Sequence, residues 1–212
     1  MNSNPNSEPL DAQIIKLTSP RLNGSVSLEQ AIARRRSIRE FSEQPLTIEQ
    51  LSQLLWSVQG VTNSQYLRAS PSAGATFPLE IIAVVGVFSI SALPAGCFQY
   101  LPGEHGMKPL RSGDLRLRLT GAALGQQAIT LAPVTFIICA DYERTRSRYR
   151  NRTERYVHME AGHAAQNLYL QATTLGLGTT AIGAFDDNEV KEVLSLPGNL
   201  DPLYVLPIGY PD

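Results

Sequence analysis

The sequence predicts a single α+β domain, and three observations carry that reading. Helical stretches and short apolar strand-like runs alternate irregularly along the 212 residues, without the regular strand–helix rhythm of a parallel sheet. Two strand-like runs, "EIIAVVGVF" and "AGCFQYLP", follow one another early in hairpin fashion. No internal repeat and no linker divides the chain. Residues 1–24, rich in Asn, Ser and Pro, are expected to form a flexible N-terminal arm, and residues 25–212 the domain.

The elements follow in order. "SLEQAIARRR" opens with Ser27 and places Gln30 three residues on, a capping box that starts a first helix. Thr47 and Gln50 repeat the device at the head of "TIEQLSQLLWSVQG". There Ile48, Leu51, Leu54, Leu55 and Val58 form one apolar face, and Gly60 stops the helix. The two strands come next, with turn-rich segments between and after them. "GDLRLRLTGAALGQQAITLA" reads as one helix, weakened at Gly121 and Gly125, and runs into Pro133 and the buried strand "VTFIICA". The clearest helix covers about Glu154 to Leu175. Its stripe is Val157, Ala161, Ala164, Leu168, Ala172 and Leu175. A strand "TTAIGAF", a short helix "DDNEVKEVLSL" and a strand "LYVLPIG" complete the chain.

Composition narrows the function. With 43% hydrophobic and 17% charged residues the chain is globular in type, and its net charge of −1 provides no field suited to nucleic acid. "MNSNPNSEPLDAQ" lacks the basic and apolar regions of a signal peptide, and "IIAVVGVFSI" is too short to span a bilayer. Cys97 and Cys139 fit no CxxC pattern and read as reduced core thiols, so a cytoplasmic location is expected.

Four stretches could carry chemistry. In "RRRSIREF", Arg34, Arg35 and Arg36 end the first helix, where cations complement the dipole. Alternatively Arg35, Arg36, Ser37 and Arg39 leave the helix as a turn and converge on one phosphate, whose oxygens guanidinium forks match. The loop "RASPSAGATFPLE" carries small or rigid residues at Pro71, Ala73, Gly74 and Ala75, with hydroxyls at Ser72 and Thr76. It lets backbone N–H groups approach a flat ligand, or it is an ordinary turn before a strand. On the long helix Glu160, His163, Asn167 and Gln171 share one face, read as a polar surface toward solvent or a partner. No second ligand pair and no HExxH motif accompanies them, so no metal site is expected. "YERTRSRYRNRTERY" holds six arginines against two glutamates; if extended, Arg144, Arg146, Arg148, Arg150 and Arg152 would lie on one side. It reads as a solvated segment, a lid over an anion, or an RNA contact. GxGxxG, Walker A and GxSxG motifs are all missing.

Taken together, "SLEQAIARRRSIREF", "RASPSAGATFPLE", "MEAGHAAQNLYLQATTLGLGTTAIGAF" and "YVLPIGYP" resemble the FMN-dependent nitroreductase superfamily in order and spacing, over about residues 22–211. Within it the chain is most similar to the SagB-type dehydrogenase branch, whose studied members oxidise thiazolines and oxazolines in peptide natural products to azoles. The resemblance implies a three-layer fold, a central mostly antiparallel sheet flanked by helices, in a domain-sharing homodimer with FMN at the interface. Arg35, Arg36, Ser37 and Arg39 would hold the FMN phosphate and ribityl chain, leaving Arg34 as a solvated helix-end charge. Pro71, Ser72, Ala73, Gly74 and Ala75 would approach the flavin from the other subunit. Gln126 or Gln127 would lie near the pyrimidine edge, and Gly183 and Ala184 beside flavin N5. Many nitroreductases continue past the last strand and add a basic phosphate contact; here Arg155 would complete that site. Azoline-oxidising enzymes carry a Lys-Tyr pair where this chain has Arg148 and Tyr149, the candidate catalytic residues. Arginine stays protonated and cannot serve as a base. The expected activity is hydride transfer through flavin N5, in a SagB-type dehydrogenase or in an NAD(P)H-dependent nitro or quinone reductase. The non-enzymatic alternative is a flavin-binding or RNA-contacting module. The substrate would be a small molecule or peptide-derived.

Overall fold

The computed structural model describes residues 13–91 and 93–212. Of the expected arm, residues 1–12 lie outside the described residues. Further along it, β1 (Ile15–Lys16) pairs antiparallel with β4 (Gly106–Ser112), and the Leu17 amide donates to His105. His105 also lies 2.8 Å from the Thr18 carbonyl, the Ser52 hydroxyl and the Tyr100 phenol.

Helices α1 (Leu28–Arg34) and α2 (Ile48–Gln59) start where the capping residues place them. Ser27 accepts from the Gln30 amide, and at Thr47 the reciprocal box with Gln50 is complete. β2 (Leu79–Val85) and β3 (Gly96–Leu101) form the expected hairpin-like pair, and β4 continues it outward. The sequence predicts one helix before Pro133, but the chain makes two, α3 (Arg116–Ala122) and α4 (Ala128–Leu131). Leu124 at φ 54° and Gly125 at φ 79° break the helix between them. After β5 (Val134–Ala140), the arginine-rich stretch is α5 (Tyr142–Tyr149) and a short 3-10 turn rather than an extended segment. Asp141 caps α5 through the Glu143 amide. α6 (Thr153–Thr174), β6 (Gly178–Thr179), α7 (Asp187–Leu194) and β7 (Asp201–Gly209) complete the order.

The strands form one seven-stranded sheet, β1-β4-β3-β2-β5-β7-β6, with antiparallel pairing at each step. Period-two alternation divides its residues between two cores. Ile81, Ala83, Val85, Phe136 and Ile138 pack with Leu51, Leu54, Leu55 and Val58 of α2 and with Val157, Ala161, Ala164, Leu168 and Ala172 of α6. Ile82, Val84, Ile137 and Cys139 face the other way, toward α3 and α7 through Leu119, Val190 and Leu194. The result is three layers, helices over and under a sheet. Every residue of β5 is buried, as expected for a central strand covered on both faces. Cys97 and Cys139 are buried free thiols, and burial pushes the Cys97 thiol up to about 12. Among the described residues no helix is long and apolar enough to cross a membrane, and no group of three or more His, Cys, Asp or Glu could hold a metal.

Candidate functional site

The arginine turn forms where α1 stops. Arg35 leaves the helix at φ −49°, ψ 125°, and Arg36 folds back so that its Nη1 donates to the Ala33 and Arg35 carbonyls at 3.1 and 2.7 Å. Arg36 therefore caps the free carbonyls of α1 while keeping its other donors. The chain then runs alongside β6: Ser37 bridges Thr179 in parallel, and the Ile38 amide donates to the Thr179 carbonyl at 3.0 Å. Tyr169 of α6 joins the two strands. Its phenol lies 3.2 Å from the Ser37 hydroxyl and accepts the Ala181 amide at 2.7 Å, and the Arg35 guanidinium lies 5.4 Å from its ring centre. A Cβ on Gly178 would stand 2.5 Å from the Ile38 side chain, so glycine is what lets the turn approach β6.

Gln126 lies in the link between α3 and α4, and Gly183 and Ala184 follow β6. Ala128, two residues after Gln126, packs with Phe41, Ala132 and Ile38, directly beyond the arginine turn. Ile182 pairs with Val205, and the Asp186 amide donates to the Ala122 carbonyl at the end of α3. These contacts hold the exposed Gly183 and Ala184 between α3 and β7. A Cβ on Gly183 would meet nothing within 4 Å, which leaves room for a ligand beside it. Among the described residues, neither Arg34, Arg35, Arg36 nor Arg39 pairs with a carboxylate. The donor set fits an anion such as a phosphate, and the open edge at Gly183 fits a flat ring.

The Pro71–Ala75 loop gathers a different set of residues. Gly74 (φ 59°), Ala75 (φ 54°) and Phe77 (φ 46°) all lie in the left-handed region. Ser72 accepts the Phe77 amide at 2.9 Å, and the Thr76 hydroxyl lies 2.9 Å from that of Thr145. Arg148 Nη1 donates to the Gly74 carbonyl at 3.1 Å, and a Cβ at Gly74 would fall 2.6 Å from the Tyr149 hydroxyl. Arg148 and Tyr149 thus brace this loop. Glu160 of α6 is 2% exposed, its Oε1 lacks a hydrogen-bond partner among the described residues, and the Ser72 hydroxyl and Ala73 amide are the donors that favour its ionised form. Burial raises that carboxyl to about 7, against the pull of those two donors.

Within one chain the two groups stay apart. Glu160 and Tyr169 are nine residues apart on α6, so the loop and the arginine turn are separated by about 14 Å along the helix and lie on opposite faces. Arg155 is fourteen residues from Tyr169, roughly 21 Å, and does not reach the arginine turn of its own chain. The polar row on α6, expected to face solvent or a partner, turns partly inward within the chain. Asn167 donates to the Ser57 and Ala69 carbonyls and to Ser70, and Gln171 accepts from Gln53; His163 is the exposed member of the row. A cleft of about 880 Å³ beside that row, lined by Leu22, Gln53, Trp56 and Gln171, contains none of the predicted ligands. Three arginines of the basic segment are engaged: Arg144 with Glu80 and Asp141, Arg146 with Glu143, and Arg148 with the loop. Sequence reasoning missed Tyr169 and the burial of Glu160. Neither leaves a local signal, because both depend on what packs against α6.

A three-layer antiparallel α+β domain with an anion-fitted turn beside an open glycine edge has the frame of a flavin-type oxidoreductase. The chain belongs to the nitroreductase family, whose family model matches residues 32–210, and it is an oxidoreductase. It is 44% identical over 184 residues to a candidate nitroreductase of Methanocaldococcus jannaschii, covering 87% of this chain and 91% of that one. It is 26% identical to an FMN reductase (NADPH) of Bacillus subtilis, over 86% of this chain and 65% of the relative. The crystal structure of a candidate nitroreductase from Ralstonia eutropha superposes with a TM-score of 0.83 at 28% identity, covering 100% of this chain and 96% of that one.

Proposed function

We propose that this chain is an FMN-dependent, NAD(P)H-linked reductase of nitro or quinone compounds, acting in the cytoplasm as a homodimer whose site is shared between subunits. The observation that carries the reading is the group of arginines without carboxylate partners, fastened through Ser37 and Tyr169 to the segment that ends at Gly183. FMN, when bound, supplies hydride transfer through its N5 position. Arg35, Arg36, Ser37 and Arg39 would take the phosphate and ribityl chain, Gln126 the pyrimidine edge, and Gly183 and Ala184 the N5 side. Pro71, Ser72, Ala73, Gly74 and Ala75 would come from the partner subunit. The separation of the loop from the arginine turn along α6 supports that division, since one chain does not bring them together.

The SagB-type alternative needs a base in the position of Arg148. An arginine is no general base, and Arg148 is committed to the Gly74 carbonyl, which favours the reductase. The two unpaired core thiols suit a reducing compartment. The test is spectroscopic. Purified protein titrated with FMN should acquire a flavin spectrum, and anaerobic NADPH should bleach it rapidly. Protein that stays colourless after FMN addition refutes the cofactor; flavin that NADPH leaves oxidised refutes the reductase and favours the dehydrogenase.

A further inference from the structure

The segment ahead of α1 is fastened to the fold through one histidine. His105 stands in the turn between β3 and β4 at φ 43°, a left-handed backbone that a residue with a side chain keeps only where its surroundings hold it. Its carbonyl accepts the Leu17 amide at 3.1 Å, and its ring reaches three further groups. Nε2 lies 2.8 Å from both the Thr18 carbonyl and the Ser52 hydroxyl, and Nδ1 lies 2.8 Å from the Tyr100 phenol. Ser52 also donates to the Thr18 carbonyl at 2.6 Å. Ser52 and Tyr100 are each 1% exposed, so neither hydroxyl has water to turn to.

Counting protons settles the state of the ring. With Ser52 donating to Thr18, Nε2 faces two oxygens and serves them as an N–H, so Nδ1 is the bare nitrogen that accepts from Tyr100. The opposite tautomer would set a lone pair against the Thr18 carbonyl. It would also strand the Tyr100 proton, which has no other partner among the described residues. A doubly protonated ring would strand that proton too, because an N–H would then face the phenol.

We propose that His105 is a proton-sensitive latch: the neutral ring clasps the 14–26 strap to α2 and β3, and protonation of the ring releases it. The strap lies close against its bed. A Cβ on Gly106 would stand 2.8 Å from the Ile14 side chain, and Gln53 accepts the Arg21 amide at 2.8 Å and donates to the Arg21 carbonyl at 3.1 Å. Residues 22–26 continue as one wall of the 880 Å³ cleft, opposite Trp56 and Gln171, so release of the strap opens that cleft. None of the latch groups belongs to the arginine turn or to the 71–75 loop.

The direction follows from the hydrogen bonds. Once the strap is free, the solvated imidazole takes up a proton below about pH 6.5, whereas the latched ring has a donor facing Nδ1 and resists it. The released form therefore binds more protons; the latch is whole above that pH and weakens below it. Burial acts in the same direction, holding His105 below the ordinary imidazole range against the pull of the Thr18 carbonyl. The charged and titratable groups on the surrounding elements are Glu104 and Lys16, paired at 3.0 Å, Arg21 on the strap, Glu49 on α2, Tyr100 on β3, Lys108 on β4, and Arg68, whose charge acts on Tyr100.

The test is amide hydrogen exchange of the full chain without added FMN, corrected for intrinsic rates, at about pH 7.5 and about pH 5. In the wild type, residues 15–21 should lose about tenfold protection at the lower pH, while β5 stays unchanged. H105Q carries no titrating ring, so its strap should exchange alike at both, with β5 protection reporting that the fold is intact. E49Q, E104Q and the double variant H158N/H163N should keep the wild-type loss. In the wild type at the higher pH, the imidazole nitrogen-15 spectrum should place the His105 proton on Nε2. A flat wild-type profile, a loss that persists in H105Q or vanishes in the control variants, or a proton on Nδ1 overturns the latch. Failure to take up FMN would overturn the flavin reading and leave the latch standing.

Discussion

Replacing Glu160 by Gln tests the energetics of this buried carboxyl without any cofactor. The group is 2% exposed, and its carboxyl sits at about 7 in the fold against 4.5 when solvated. At about 1.4 kcal/mol per unit, the fold loses about 3 kcal/mol as pH rises from the lower value to the upper, because only the unfolded chain ionises freely there. The sign is that of a raised acid: the contribution is neutral below pH 4.5, grows unfavourable through the interval, and is constant above about 7. E160Q carries no such term. Its amide donor in place of Oε1 adds a constant cost of about 1–3 kcal/mol at every pH, which cancels in the difference between two pH values. Urea unfolding of wild type and E160Q at about pH 5 and about pH 8 should show the variant gaining about 3 kcal/mol relative to wild type at the higher pH. In melting temperature that is roughly 6–12 °C for a chain of this size. A stability gap that does not change with pH would refute the reasoning, since it would mean that Glu160 is hydrated and titrates normally.

Other expectations concern the arginine turn, the loop and the core. R39A should weaken FMN retention by about 10- to 100-fold, the worth of charge-assisted hydrogen bonds, while R34A leaves it nearly unchanged; equal losses in a fluorescence titration would remove the distinction between them. Y169F leaves Ser37 and the Ala181 amide without their shared partner and should cost about 1–2 kcal/mol in urea unfolding, with looser FMN binding. G74A forces a Cβ onto the Tyr149 hydroxyl at φ 59° and should increase proteolysis at the loop while leaving the far-ultraviolet circular dichroism intact. Phe136, fully buried at the centre of β5, should cost about 3–5 kcal/mol when cut to Ala, measured by the same unfolding assay.

Much of the fold was legible because it is written in local patterns. The capping residues Ser27 and Thr47 start α1 and α2 where expected, and the Val157-to-Ala172 stripe of α6 is buried as its spacing requires. Strands β2, β3, β5 and β7 were visible as apolar runs. β4, with Lys108, Pro109 and Arg111, was not, because it lies toward the sheet's edge and needs no continuous hydrophobic run. The break at Leu124–Gly125 was signalled only by a glycine that a helix tolerates at modest cost. The arginine alternation would have put five guanidinium groups on one side only of an extended segment, whereas Asp141 caps a helix there and Arg144 and Arg146 find carboxylates one turn earlier.

The sequence by itself determined the α+β class, most of the elements and the candidate anion grip, since periodicity, capping and charge clustering act within a few residues. Only the tertiary structure decided which polar groups are buried and what they serve. Asn167 and Gln171 turn inward to α2, Glu160 is buried on α6, and Tyr169 ties the arginine turn to the segment that follows β6. The reason is physical. A side chain's burial and partner are set by whatever packs on its helix from distant parts of the chain, and one helix's spacing records the face but not its neighbour.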